Sequence, residues 1–326
     1  MDLSIIIVNW NVKNLLRQCL QSLQAWQAQV PLASESDQHS AEIVVVDCDS
    51  SDGSADMVRQ DFPQVKLVDS DKNLGYAGGN NAGAVEASGR YLLILNPDTQ
   101  IVNDAPARML AYLDRNPQVG AVGPQLQYPD GSQQSSRRRF PTLGTAFFES
   151  TLLEQWFPNN RRARRYHMED QAADQTQQVD WLVGATLMIR RTAWDQVGHF
   201  DENYFMYFEE LDWCRRCRQC GWEIHYIPEA VVIHHEGKSS EQVVAQRTIR
   251  FQRSKIRYFT KYFSAASALA LRIFLLCTFA IQLGEEGVKW ALGHKRPLRR
   301  QRLAVYSKVL RSGLTPTGEQ IGEKGG

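Results

Sequence analysis

An α/β fold with a mostly parallel sheet flanked by helices is what this sequence predicts. Three observations carry it: strand-like and helical patterns alternate, polar clusters close three of the strands, and the composition is ordinary for a globular chain. The 326 residues are 43% hydrophobic and 22% charged, enough to bury a large core and unlike a disordered or fibrous chain. Leu3 to Val8, rich in β-branched residues, reads as a buried strand ending at Asn9-Trp10-Asn11. Leu16, Cys19, Leu20 and Leu23 then recur at helical spacing between Leu15 and Trp26. A linker-like stretch, Pro31 to Ser40, precedes a second strand at Ile43 to Val46, which the turn and cap residues Asp47-Cys48-Asp49-Ser50-Ser51-Asp52-Gly53-Ser54 close. Ala55 to Phe62 reads as a helix, Val65 to Val68 as a short strand, and Asn73 to Gly83 is rich in glycine and asparagine. Tyr91-Leu92-Leu93-Ile94-Leu95 is a further buried strand that runs into Asn96-Pro97-Asp98-Thr99.

In open α/β sheets ligands gather at the carboxyl ends of the strands. Asn9 to Asn11, Asp47 to Gly53 and Asn96 to Thr99 all lie at such ends, so their convergence is expected. Asp98 would sit there as a metal ligand on a rigid floor, although Asn-Pro-Asp is equally ordinary turn chemistry. Residues 131–178, with Arg137 to Arg139 and Arg161 to Arg165, show little periodicity and read as a long surface excursion, either a lid or a solvated loop. Order returns at Val179 to Arg190 as a strand. Glu209, Glu210 and Asp212 open a helix expected to run to Cys220 and stop at Gly221. They either complement its dipole or supply a general base for a sugar hydroxyl. Pro228 to Ile233 reads as a strand ending at His234, whose imidazole could complete a metal site begun by Asp98, with Lys238 and Ser239 touching phosphate oxygens. Cys214, Cys217 and Cys220 spread over more than one helix face and lack the spacing of a closed zinc site.

The net charge of +1 hides an asymmetry. Residues 1–246 carry 21 Lys/Arg against 32 Asp/Glu, whereas residues 247–311 carry 15 against two. A basic block on an acidic body points to an anionic partner. Ala265 to Leu283 is nearly all apolar but for Arg272; its nineteen residues would span about 28 Å as a helix, so a crossing is marginal. A helix lying on an anionic membrane surface fits better; packing on the catalytic domain or a homodimer contact are the alternatives. Without a recognised reading module, no nucleic acid is expected as a partner. The start Met1-Asp2-Leu3-Ser4-Ile5 shows no secretory signal, so a cytoplasmic body, peripheral on the cytoplasmic face of the membrane, is expected. The resulting division is an α/β region over residues 1–240, resuming after the excursion at 179–240, a helical extension over 241–313 and a disordered tail over 314–326.

Ser4 to Asn11, Val45 to Ser54, Asn73-Leu74-Gly75-Tyr76-Ala77-Gly78-Gly79-Asn80-Asn81, Leu95 to Thr99, Trp181 to Ala185, Gly198 to Asp212 and His234 to Ser239 together resemble family 2 glycosyltransferases, in their rhamnosyltransferase-like branch. The likeness covers about residues 3–262 in order. It implies a GT-A fold, a Rossmann-like mostly parallel sheet flanked by helices. It also implies inverting transfer from a nucleotide-diphosphate sugar, dTDP- or UDP-linked, with Mg2+ or Mn2+. The sugar would be a deoxyhexose such as rhamnose, and the acceptor a lipid-linked or growing cell-surface glycan. On this resemblance Asp98 is the metal-binding carboxylate in place of the DXD motif, His234 the late histidine near metal and diphosphate, and Glu210 the base beside Glu209 and Asp212. Asn9, Asn11, Asp47, Asp49, Asn73, Gly75, Tyr76, Gly78, Asn80 and Asn96 would line the donor side, with Lys238 and Ser239; Trp181 and Gly184 would face the acceptor. Cys48 departs from the usual Asn or Asp beside the base, and Glu210 replaces the commoner Asp. Two other functions remain open: a sugar nucleotidylyltransferase, although no triphosphate loop follows the first strand, and a non-catalytic nucleotide-sugar-binding scaffold.

Overall fold

The computed structural model describes residues 1–29, 40–149, 151–157, 160–235 and 244–315. The chain opens with β1 (Leu3–Asn9), α1 (Lys13–Gln29), β2 (Ala41–Cys48), α2 (Ser54–Asp61), β3 (Lys66–Ser70), α3 (Gly75–Glu86), β4 (Tyr91–Leu95) and β5 (Thr99–Val102). It continues through α4 (Ala105–Arg115), β6 (Val119–Gln127), β7 (Gln133–Gln134), β8 (Arg137–Arg138) and three short helices, α5 (Leu143–Phe148), α6 (Leu152–Trp156) and α7 (Arg161–Tyr166). Then come β9 (Gln177–Gln178), β10 (Trp181–Leu182), β11 (Thr186–Arg190), α8 (Arg191–Val197), α9 (Glu209–Gln219) and β12 (Glu223–His234). Helices α10 (Val244–Tyr262), α11 (Ala265–Ala291) and α12 (Arg296–Arg311) finish it.

The main sheet runs β3-β2-β1-β4-β11-β6-β12-β5. Its first four strands are parallel, β11 is antiparallel to β4 and β6, β12 is parallel to β6, and β5 is antiparallel to β12. Strands β1 and β4 are buried on both faces, which explains their unbroken apolar runs. Leu16, Cys19, Leu20 and Leu23 of α1 pack with Ile5, Ile7, Leu93 and Met109 on one face, and the other face carries the larger cluster around Trp194, Trp213 and Tyr258.

Several elements differ from expectation. The Gly- and Asn-rich run folds as α3, where small residues let the helix lie close on the sheet: a Cβ on Gly83 would stand 2.4 Å from Ile6. The expected strand Val179 to Arg190 divides into β10 and β11 around Val183-Gly184-Ala185. The excursion is no bare loop, because Ala146, Tyr166 and Met168 are buried in the larger cluster and Phe147 meets Phe274 of α11 edge-on at 5.1 Å. Leu314, assigned by sequence to the tail, is fully buried in that cluster. The linker up to residue 39 and the tail from residue 316 lie outside the described residues.

Candidate active site

One cavity of about 230 Å³ opens where the strand ends meet. Val8 and Cys48 from the ends of β1 and β2, Asn96 and Asp98 beyond β4, His234 at the end of β12, and Gly184 just before β11 all line it. Of the three polar clusters expected to converge, Trp10, Cys48, Asn96 and Asp98 reach the wall, where they are joined by His234, Asn73, Gly75, Tyr76, Gly184, Glu209 and Glu210.

Strand register brings Asp98 to His234. The antiparallel pairing of β12 with β5 sets His234 opposite Thr99, and the His235 N–H donates to the Asp98 carbonyl at 2.9 Å. His234 Nε2 consequently stands 3.3 Å from Asp98 Oδ1 and 3.4 Å from Asn96 Nδ2, while its Nδ1 lies 3.0 Å from Gln134 Oε1. With Nδ1–H donating to Gln134, Nε2 keeps its lone pair toward the carboxylate. Among the described residues Asn96 Oδ1 is also buried without a hydrogen-bond partner. No group of three or more His, Cys, Asp or Glu that could hold a metal ion gathers among those residues; a divalent ion here would have Asp98 and His234 as its protein ligands. That donor set fits an ion shared with a phosphate ligand.

The glutamates are set by backbone strain. Tyr207 and Phe208 both have left-handed φ, 70° and 71°, an uncommon conformation for aromatic residues, and α9 starts directly after them. Glu210, half-buried at the cavity wall, accepts from the Gly184 N–H at 3.3 Å through Oε1, and its Oε2 has no partner among the described residues. Burial raises its pKa against the lowering effect of backbone donors. Glu209 is pushed well above the usual carboxylate range, first by burial and then by the charge of Glu210. Tyr76, whose hydroxyl donates to the Gly184 carbonyl at 2.6 Å, is likewise raised by burial and then by Glu209, Glu210 and Asp98. Gly75 is required here: its φ is +70°, and a Cβ would stand 2.4 Å from the Phe205 carbonyl, which accepts from the Tyr76 N–H at 2.7 Å.

Other predicted residues lie elsewhere. Asp212 is fully buried away from the cavity, bonded by Arg216 Nε at 2.8 Å, Lys261 Nζ at 2.7 Å and Tyr262 Oη at 2.8 Å; it joins helices rather than facing a reacting group. Trp181 does not line the cavity and donates through Nε1 to the Arg139 carbonyl at 3.0 Å. Asn9 and Asp47 bond each other at 2.7 Å beside the cavity, with Asp47 Oδ2 also accepting from the Ser50 N–H at 3.0 Å. Asn11 accepts from the Ser51 N–H, Asn80 donates to the Tyr76 carbonyl, and Asp49 and Gly78 are likewise off the cavity wall. Lys238 and Ser239 lie outside the described residues. The wall also holds Trp10, Phe205, Met206, Tyr207, Arg247 and Arg250, to which the sequence reading gave no site role. The aromatic run before Glu209 was the available signal for three of them.

The family model described as Glycosyl transferase family 2 matches residues 4–198. The chain belongs to glycosyl transferase family 2. This glycosyltransferase is 33% identical over 229 residues to the N-acetylglucosaminyl-diphospho-decaprenol L-rhamnosyltransferase of Mycobacterium tuberculosis, covering 67% of this chain and 73% of that one. It is 27% identical over 239 residues to a low-salt glycan biosynthesis hexosyltransferase of Haloferax volcanii, covering 72% and 67% respectively. Among solved structures, the mannosyltransferase of Pyrobaculum calidifontis, in complex with GDP-Man and Mn2+, superposes with a TM-score of 0.53 at 16% identity, over 96% of this glycosyltransferase and 86% of that chain. The fold is GT-A, as the resemblance implied.

Proposed function

We propose that this glycosyltransferase moves a deoxyhexose such as rhamnose from a dTDP- or UDP-linked sugar onto a lipid-linked or growing cell-surface glycan, with inversion. The M. tuberculosis relative, named as a rhamnosyltransferase on a diphospho-decaprenol substrate, supports the choice of sugar and acceptor. The single observation that carries the chemistry is that Glu210, with one carboxylate oxygen unpartnered among the described residues, shares its cavity with the Asp98–His234 pair.

Asp98 and His234 would hold Mg2+ or Mn2+, and such an ion supplies stabilisation of the negative charge that builds on the leaving diphosphate. Glu210 Oε2 takes the proton of the acceptor hydroxyl as that oxygen bonds to the anomeric carbon. The bond from that carbon to the diphosphate breaks with its electron pair, and the nucleoside diphosphate departs. One displacement inverts the centre. The Gly184 N–H holds Glu210 Oε1 in place and leaves Oε2 without a partner among the described residues. Phe205, Met206 and Tyr207 line the same space and give it an apolar wall.

The test is transfer from dTDP- and UDP-sugars to a diphosphate-lipid acceptor with Mn2+, beside two variants. Glu210→Gln is expected to lower kcat by about 10²- to 10⁴-fold with donor affinity unchanged. Asp98→Ala is expected to abolish the metal dependence of donor binding. Wild-type turnover in Glu210→Gln would overturn the base assignment, and equal donor affinity with and without Mn2+ in the wild type would overturn the metal site.

A further inference from the structure

Helix α10 was expected to lie with the membrane-facing extension, yet its first two turns face the cavity. Arg247 and Arg250 both line it, one helical turn apart. Arg250 stacks over the Phe205 ring with its guanidinium carbon 4.1 Å from the centroid. The helix is fixed against the segment that leads into Glu209. Ser254 Oγ donates to the Met206 carbonyl at 2.9 Å, and Phe251 meets Tyr207 and Phe208 edge-on at 5.6 and 5.5 Å. Two guanidinium groups thus belong to the same cavity as Asp98 and His234, placed by packing before any ligand arrives.

The charge arrangement asks for a particular ligand. A divalent ion on Asp98 and His234 reaches only some oxygens of a diphosphate, and those left over need donors. Arginine meets phosphate with two parallel N–H bonds and stays charged at any working pH. We propose that Arg247 and Arg250 form a diphosphate clamp, the metal-independent counterpart of the Asp98–His234 site. The clamp rests on the transfer reaction proposed above. Its ligand chemistry has two sources, the diphosphate of the sugar donor and the diphosphate of a lipid-linked acceptor.

Titration calorimetry of the full chain with UDP and dTDP plus Mn2+, together with acceptor KM values, separates them in Arg247→Gln/Arg250→Gln. If the donor is held, nucleoside diphosphate affinity falls at least about tenfold, with nucleoside affinity unchanged. If the acceptor is held, nucleotide affinity stays and KM rises at least about tenfold for a diphosphate-linked acceptor but not for a phosphate-free one. Arg247→Gln alone, which leaves the stacking on Phe205 intact, carries the same test where the double variant fails to fold. Arg250→Lys is expected to lose part of the same affinity, since an ammonium keeps charge without the fork. Constants within about twofold of wild type for every ligand would overturn the clamp and leave the transferase reading standing. A wild type that binds no nucleotide and transfers nothing would instead overturn that reading.

Discussion

As the base we propose, Glu210 meets two demands that pull apart: a base must be ionised, and a carboxylate enclosed by protein resists ionisation. Burial wins over the backbone donors, so its pKa lies above the ordinary 4.5. The working form is the deprotonated one, so kcat/KM should rise with pH through an acid limb placed above that value, and Glu210→Gln should remove the limb along with the turnover. The same shift has a stability consequence. A folded-state pKa raised above the unfolded one gives stability that is fully present below about 4.5 and is lost as pH rises through the raised values of Glu209 and Glu210. Glu209→Gln should therefore raise Tm relative to wild type more at pH 8 than at pH 5, and an equal change at both would contradict burial as the cause. The meeting of Asp98 and His234 was legible in the sequence because each lies at a strand end, whereas Glu210 was singled out from its acidic neighbours only by the family resemblance. Asp212 was misread because three acids in one turn do not say which faces the ligand: two residues along a helix rotate the side chain by about 200°, which turns Asp212 away when Glu210 faces in. Arg247 and Arg250 were missed because a charge count over sixty-odd residues averages two inward arginines with the outward ones.

At the scale of elements, the joint between α9 and α10 holds the helix that begins with Glu209 and Glu210. Asp212, wholly buried, is bonded from its own helix by Arg216 and from α10 by Lys261 and Tyr262. Removing it deletes three bonds at the joint while Lys261 keeps Asp201 and Arg216 keeps the Val197 and His199 carbonyls, so Asp212→Ala should cost about 1–3 kcal/mol in a denaturant titration, whereas Tyr262→Phe should cost about 1 kcal/mol. Catalysis by the folded fraction of Tyr262→Phe should stay near wild type, which separates a joint from a reacting group. The pattern of what was legible follows from local physics here too. Helix α9 announced itself through acids in its first turn and Gly221 beyond its end, and β1 and β4 through unbroken apolar runs. Helix α3 did not, since Gly75, Gly78, Gly79 and Gly83 lower helix propensity, and the close packing of Gly79 on Val8 and Gly83 on Ile6 that favours small residues there is not visible in the sequence. The short helices α5 to α7 carry too few turns to show a period, and their order comes from long-range contacts such as Lys255 Nζ donating to the Glu149 carbonyl at 2.7 Å.

Over the whole molecule the basic extension divides its cations between two tasks. Arg247 and Arg250 face the cavity, Lys255 is buried, and Arg299 and Arg302 pair with Glu286. Those left exposed are concentrated near the turn from α11 to α12, where Lys295, Arg296 and Arg300 stand beside exposed Trp290, Leu292 and Leu298. Helix α11 is, among the described residues, the one helix long and apolar enough to cross a membrane. Yet Leu271, Leu275 and Phe279 pack into the core while Leu269, Ile273 and Ile281 remain exposed. One face is committed to the protein and one is left over, which suits a helix lying along a surface better than one surrounded by lipid. The proposed membrane contact therefore narrows from residues 247–311 to the outer face of α11 and the turn after it. Each basic residue near an anionic bilayer contributes about 1 kcal/mol, so Lys295→Gln/Arg296→Gln/Arg300→Gln should weaken co-sedimentation with phosphatidylserine vesicles by about two orders of magnitude at low salt. Turnover on a short, water-soluble acceptor should be unchanged, because none of the three lines the cavity. Wild-type binding to neutral and anionic vesicles alike would show that charge plays no part, and a triple variant that still sediments with anionic vesicles would place the contact elsewhere on the extension.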